Sequence, residues 1–108
     1  MKKGDIVLVP FPFTDLSGNK NRPALVLIEG ELDVTLAFVS TQMKWKEPSD
    51  ILVTPTHKNG LKKKSLIRLA KLATIDKSLV LGKLGEINPS NIQSVNKNLI
   101  ELFRLKEL

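Results

Sequence analysis

Apolar residues in this chain arrive in short blocks separated by polar, turn-rich stretches. Residues 6–9, IVLV, form an unbroken run of β-branched and leucine side chains, which predicts a buried strand. Pro10 and Pro12 have no amide N–H to give a ladder, so pairing should fade there or lie at an edge. Phe11 and Phe13 leave the end of this strand. Residues 14–21 are rich in Asp, Ser, Gly and Asn, the residues of a loop, with a turn at Ser17 and Gly18. Arg22 and Pro23 open a second strand over the apolar block 24–28, with Pro23 at the first position, where its missing N–H does no harm.

Gly30 and Glu31 mark a hairpin turn, and 32–40 alternates well enough for a third strand. A second polar loop, TQMKWKEPS, covers 41–49, and a fourth strand, 51–54, ends at Pro55. The basic connection 56–64 carries Asn59-Gly60 as a hairpin signal. Residues 65–72, SLIRLAKL, predict a fifth strand. Strict alternation there puts Arg68 and Ala70 on one face with Leu66 and Leu72. Residues 74–78 read as a short connection with one helical turn, and 79–86 as a weak strand broken by two glycines.

The end of the chain has a different period. Asn88 followed by Pro89 is an N-cap and a first helical position. Ile87 and Ile92 have the spacing of a hydrophobic staple. Ile92, Val95, Leu99, Leu102 and Phe103 recur at helical spacing through about Arg104. The expected fold is therefore mainly β with α. It is a small SH3-like barrel of antiparallel strands closed by one C-terminal helix, a single domain over residues 1–108. Such barrels host many functions, so architecture alone selects none.

Composition narrows the chemistry. The chain has 108 residues, 42% of them hydrophobic, enough for one core. It has no cysteine, which excludes disulfides, zinc–thiolate sites and a thiol nucleophile. Its one histidine, His57, argues against a His-rich metal site, and any Ser-His-Asp triad would have to use it. Seventeen Lys and Arg against eleven Asp and Glu give a net charge of +6, which favours a polyanionic or acidic partner. No apolar run approaches the roughly 20 residues of a membrane span. Lys2-Lys3 precede an apolar stretch that prolines interrupt and no cleavage site follows, so a cytoplasmic location is expected.

The stretch GDIVLVPFPFTDLSGNKNRPALVL resembles the opening of the MazF/PemK toxin family, which has a Gly-Asp before the first strand, a loop, and an Arg-Pro before the second. Val39-Ser40-Thr41-Gln42 is similar to the family's second motif, a hydroxyl residue, a small residue and Gln at a strand end. The resemblance continues through 65–76 and the C-terminal helix and covers essentially the whole chain. It implies a MazF/PemK/CcdB-like fold. It also implies a ribosome-independent endoribonuclease toxin that cleaves single-stranded RNA without a metal or other cofactor. In that reaction the ribose 2′-hydroxyl attacks phosphorus and leaves a 2′,3′-cyclic phosphate and a 5′-hydroxyl. The implied partners are a second copy in a homodimer, a cognate antitoxin, and DNA together with that antitoxin. No membrane partner is implied.

Such a cleavage needs charge on the phosphorane oxygens and help in moving two protons. Arg22 matches the family's catalytic arginine, and a guanidinium can fork two donors onto one phosphate; a salt bridge to Asp15 is its structural alternative. Ser40 falls where the family has threonine, and its hydroxyl can donate to a phosphate oxygen. Thr41 is the adjacent alternative, because successive strand residues face opposite ways. Gln42 is a candidate for RNA contact.

Arg68 is either a second phosphate clamp or half of an ion pair on a solvated strand face. In a PemK-like subset an acid two residues on is proposed for proton transfer, and here that position is Ala70. Trp45 between Lys44 and Lys46 suits base stacking. Phe13, Thr14, Ser17 and Lys71 complete the candidate RNA contacts. His57 reads as a solvated turn residue, 62–64 as a cationic turn, and Asp5 as structural. Two rival readings stand beside the enzyme. One is a CcdB-like gyrase-inhibiting toxin, and the other an RNA-binding module without catalysis, motivated by Ala70.

Overall fold

A computed structural model describes residues 1–11 and 20–105. Its strands are β1 (Asp5–Phe11), β2 (Lys20–Glu29), β3 (Asp33–Ser40), β4 (Ile51–Val53), β5 (Ser65–Asp76) and β6 (Gly82–Glu86). The helix α1 (Pro89–Leu102) is the last element among the described residues. The strands form one sheet in the order β4-β5-β3-β2-β1-β6, with every adjacent pair antiparallel. The sheet curls into a half-barrel, and the helix packs on one side of it.

Two apolar clusters follow from the two faces. On the face under the helix, Ile6, Leu25, Ala37, Val39, Ile67 and Leu69 pack with Val95 and Ile87. Ile92, Leu99 and Leu102 extend that cluster from the helix at the predicted spacing. Asn88 caps the helix by accepting the Asn91 N–H at 2.8 Å. The other face holds Val7, Val9, Ala24, Val26, Val34 and Leu36. Burying one such aliphatic side chain stabilises by about 1.5–3 kcal/mol.

Four expectations change. β2 begins at Lys20, so Pro23 lies inside the strand, opposite Leu8. It is tolerated because β3 pairs with β2 only from Ala24 onward, leaving a neighbour on one side. Pro10 is in the same position, since β6 pairs with β1 only through Leu8. Residues 9–11 and 20–22 thus form a two-stranded ribbon that carries Arg22 past the body of the sheet.

β5 continues to Asp76, through the stretch expected to be a connection. A single 3-10 turn, Lys77–Leu79, follows, with the Asp76 carboxylate accepting the Ser78 N–H at 2.8 Å. β5 also breaks register. Ala37 pairs with Leu72 and the next residue, Phe38, pairs with Arg68, so 69–71 bulge out unpaired. Strict alternation therefore fails across the bulge. Arg68 shares a face with Phe38, whereas Leu72 shares the opposite face with Ala37.

The turn after β4 is not a plain hairpin. Buried Asn59 accepts the N–H groups of Thr56 and Leu61 and donates to the Thr54 carbonyl. This turn lies against β6. The Glu86 N–H donates to the Lys58 carbonyl at 2.9 Å, and a Cβ at Gly85 would fall 2.1 Å from that oxygen. A Cβ at Gly60, whose φ is +70°, would likewise fall 2.2 Å from the Leu84 carbonyl oxygen. The β4–β5 connection and β6 meet here, backbone on backbone. No helix among the described residues is long and apolar enough to cross a membrane.

Candidate active site

A cleft of about 500 Å³ opens where the second apolar face runs out toward the ribbon. Val9 and Phe11 of β1, Arg22 and Pro23 of β2, and Phe38, Val39 and Ser40 at the end of β3 line it. Thr41 and Gln42 of the following loop and Arg68 and Lys71 of β5 complete the wall. The cleft thus gathers Arg22, Ser40, Thr41, Gln42, Arg68 and Lys71 from three separated stretches of sequence.

Arg22 is exposed, and its guanidinium carbon lies 5.6 Å from the centroid of the Phe11 ring. The register explains the contact. Arg22 is opposite Val9 and Phe11 is two residues further on, the diagonal neighbour on the same face. Phe11 in turn meets Phe38 edge to face, with centroids 5.2 Å apart and planes at 87°. A cation over an exposed ring gains about 0.5–1 kcal/mol, and the greater effect here is orientation. Among the described residues no carboxylate lies within ion-pair reach of Arg22. The alternative partner, Asp15, lies outside the described residues.

The Ser40 Oγ accepts the Gln42 N–H at 3.0 Å, and the Gln42 Oε1 accepts the Lys44 N–H at 3.0 Å. These two nested turns fix the chain as it leaves β3. Because Oγ is the acceptor in its turn, its O–H proton stays available to donate. Thr41 also lines the cleft, since strand alternation stops at Ser40.

Arg68 is held differently. Its Nε donates to Asp50 Oδ1 at 3.0 Å and its Nη2 to Glu47 Oε1 at 2.7 Å. The Arg68 side chain is 14% exposed and that of Asp50 fully buried. Asp50 Oδ2 accepts the Glu47 N–H, and the Asp50 N–H returns to the Glu47 carbonyl, which closes a tight turn. The Glu47 hydrogen bond, helped by Asp50 and opposed by burial, raises the Arg68 pKa above that of an ordinary guanidinium.

Several expected contacts fall elsewhere. Trp45 is 68% exposed with the Lys44 ammonium 5.4 Å from its ring centroid, and it does not line the cleft. Phe13, Thr14 and Ser17, with the rest of the loop at 12–19, lie outside the described residues. His57 and residues 62–64 are exposed and away from the cleft. Asp5 is buried at the far end of β1, where it accepts the Lys2 N–H and pairs with Lys83 at 3.3 Å. That pairing raises the Lys83 pKa. Among the described residues no three His, Cys, Asp or Glu side chains converge as a metal site.

Ala70 also leaves the expected face. It lines a second, smaller cavity of about 280 Å³ with Glu47, Pro48, Ser49 and the helix residues Asn98, Glu101 and Leu102. Phe11 and Phe38 were not among the expected site residues. Phe38 has the parity of Ser40 within one strand, a usable signal, whereas Phe11 can be placed beside Arg22 only once the β1–β2 register is known.

Known proteins share this fold. The family model described as PemK-like, MazF-like toxin of type II toxin–antitoxin system matches residues 2–103. Comparison with curated proteins gives no match. A mycobacterial endoribonuclease solved in complex with its cognate antitoxin is 16% identical, with a TM-score of 0.78, covering 100% of this chain and 99% of that one. The Mycobacterium tuberculosis toxin MazF-mt6 is 19% identical, with a TM-score of 0.78 over 95% of this chain and 99% of that one. MazF from Deinococcus radiodurans is 20% identical, with a TM-score of 0.74 over 97% of each chain. At these identities the structures show the shared fold.

Proposed function

The chain belongs to the PemK-like, MazF-like toxins of type II toxin–antitoxin systems, a family of endoribonucleases, and we propose that it cleaves single-stranded RNA in the cleft around Arg22. The observation that carries this is a guanidinium set on an aromatic face, with no carboxylate partner among the described residues, sharing one cleft with a strand-end hydroxyl.

In the proposed reaction a ribose 2′-oxygen attacks the adjacent phosphorus and loses its proton. The bond from phosphorus to the 5′-oxygen breaks, and that oxygen takes up a proton. A cyclic phosphate and a 5′-hydroxyl result, with no metal in the step. Arg22 forks two donors onto the non-bridging oxygens, where charge builds up. The Ser40 hydroxyl donates to the same phosphate, with Thr41 as the neighbouring donor. Gln42 holds the Ser40 turn, and exposed Trp45 offers a stacking surface for a base outside the cleft. A cognate antitoxin is the proposed inhibitor and a second copy the proposed dimer partner. The proposed setting is the cytoplasm.

The test is incubation of the purified protein with a long single-stranded RNA in EDTA. Discrete fragments ending in cyclic phosphates are expected. Arg22→Ala should lower the rate about 10³-fold, and a 2′-deoxy substitution at the cut site should abolish cleavage. Wild-type protein that binds the RNA and leaves it intact would make the chain a binding module instead.

A further inference from the structure

We infer that Lys71, not Arg68, is the second phosphate-binding cation of this cleft, and that Arg68 is a positioning residue for the loop at 41–50. The inference rests on the cleft being an RNA site.

The bulge in β5 is the origin. Under unbroken alternation the residues following Arg68 on its face would be Ala70 and Leu72. Instead 69–71 leave the ladder, Leu72 turns to the face of Ala37, and Ala70 lines the smaller cavity beside the helix. Lys71 is the residue the bulge turns into the cleft, where it stands with Arg22 and Ser40. It is exposed and makes no ion pair among the described residues.

Arg68 has the opposite standing. Two edges of its fork are taken by Asp50 and Glu47, and those acids end the loop that starts at Ser40. An RNA phosphate would have to compete with a fully buried carboxylate for that guanidinium. The loop would lose its anchor if the phosphate won. A lysine suits a phosphate that is not reacting, because it offers a mobile point charge and imposes no bidentate geometry. The cleft then holds two cations with separate tasks, Arg22 on the reacting phosphate and Lys71 on a neighbouring one.

The probe is a fully 2′-O-methylated single-stranded oligoribonucleotide, which cannot be cleaved. Its affinity is measured by fluorescence anisotropy from about 50 to 300 mM KCl. Lys71→Gln should weaken binding about five- to tenfold at low salt for every sequence tried, and Lys71→Arg should restore it. The slope of log affinity against log salt should flatten by about 0.7, the loss of one single-strand phosphate contact.

With cleavable RNA, Lys71→Gln should raise KM and leave kcat within about twofold. Arg68→Lys keeps the charge but cannot fork onto two carboxylates. It should lower kcat with the salt slope unchanged, as should Arg68→Gln if that variant folds. Lys71→Gln with the wild-type slope and affinity would overturn the inference, as would an Arg68→Lys protein whose kcat stays at the wild-type value. Wild-type protein that binds no RNA would overturn the proposed function along with it.

Discussion

Arg22 and Arg68 line one cleft about as differently as two arginines can. Arg22 stands on the edge ribbon, exposed, with a phenylalanine ring beneath it and no carboxylate in reach among the described residues. Arg68 sits within β5, mostly covered, with one carboxylate on Nε and another on Nη2. The first arrangement keeps a positive charge available to whatever enters. The second balances the charge inside the protein and uses it to tie a loop down. Both are arginines in strands, and residue type alone does not separate them. The acids that decide the matter stand 18 and 21 positions away from Arg68.

The sharpest break in this comparison comes from deleting each arginine's function separately. Arg22→Ala, about 10³-fold slower in cleavage, should unfold within about 0.5 kcal/mol of wild type in urea, because an exposed side chain with no salt bridge among the described residues is removed. Asp50→Ala should do the reverse in kind. It strips Arg68 of a fully buried partner and exposes the Glu47 N–H, so unfolding should cost about 2–4 kcal/mol less. If Arg22→Ala proved the more destabilising of the two, the contrast would fail.

A smaller effect tests the ring under Arg22. Phe11→Leu keeps apolar bulk but removes the π face, and cleavage should slow about two- to fivefold through kcat, with Phe11→Tyr close to wild type. Glu47→Gln should cost only about 0.5–1 kcal/mol, since that carboxylate is half in water.

The least effect comes from pH. The raised pKa of Arg68 means its ion pairs persist below the ordinary guanidinium range and fail only as pH rises beyond it, so alkali in the usual range leaves them intact. Acid acts elsewhere. Glu29, held low by its hydrogen bond to Lys77, and Asp76, held low by the Ser78 backbone, both favour the folded state above the ordinary carboxylate pKa. That support disappears as pH falls through their depressed values. Glu29→Gln should therefore flatten the acid limb of a stability-versus-pH curve and leave the neutral-to-alkaline part parallel to wild type.

Much of the scaffold was legible because its causes are local. Asn88, Pro89 and the Ile87–Ile92 pair announce the helix start within six residues, and the helix begins at Pro89. The run at 6–9 and the alternation at 32–40 gave strands for the same reason. Arg22, Ser40 and Thr41 could be picked out as a set because the family resemblance implies them, and they line one cleft. What escaped depends on distant neighbours. A three-residue bulge leaves no mark in the periodicity of SLIRLAKL, so alternation alone puts Ala70 and Leu72 on the wrong face. The start of β2 at Lys20 was hidden by Pro23, which is harmful in a ladder with partners on both sides and harmless here with one.

One feature away from the cleft has a colloidal consequence. The outer edge of β6 at 84–86 is covered by the backbone at 58–60, and only glycines at 60 and 85 let the two come so close. A bare strand edge is a template on which another chain can add itself. Side chains at those glycines would push the turn away and uncover the amides of a short strand with no net charge. Gly85→Ala is thus predicted to show itself first as concentration-dependent aggregation, followed by light scattering, while cleavage per folded molecule stays unchanged.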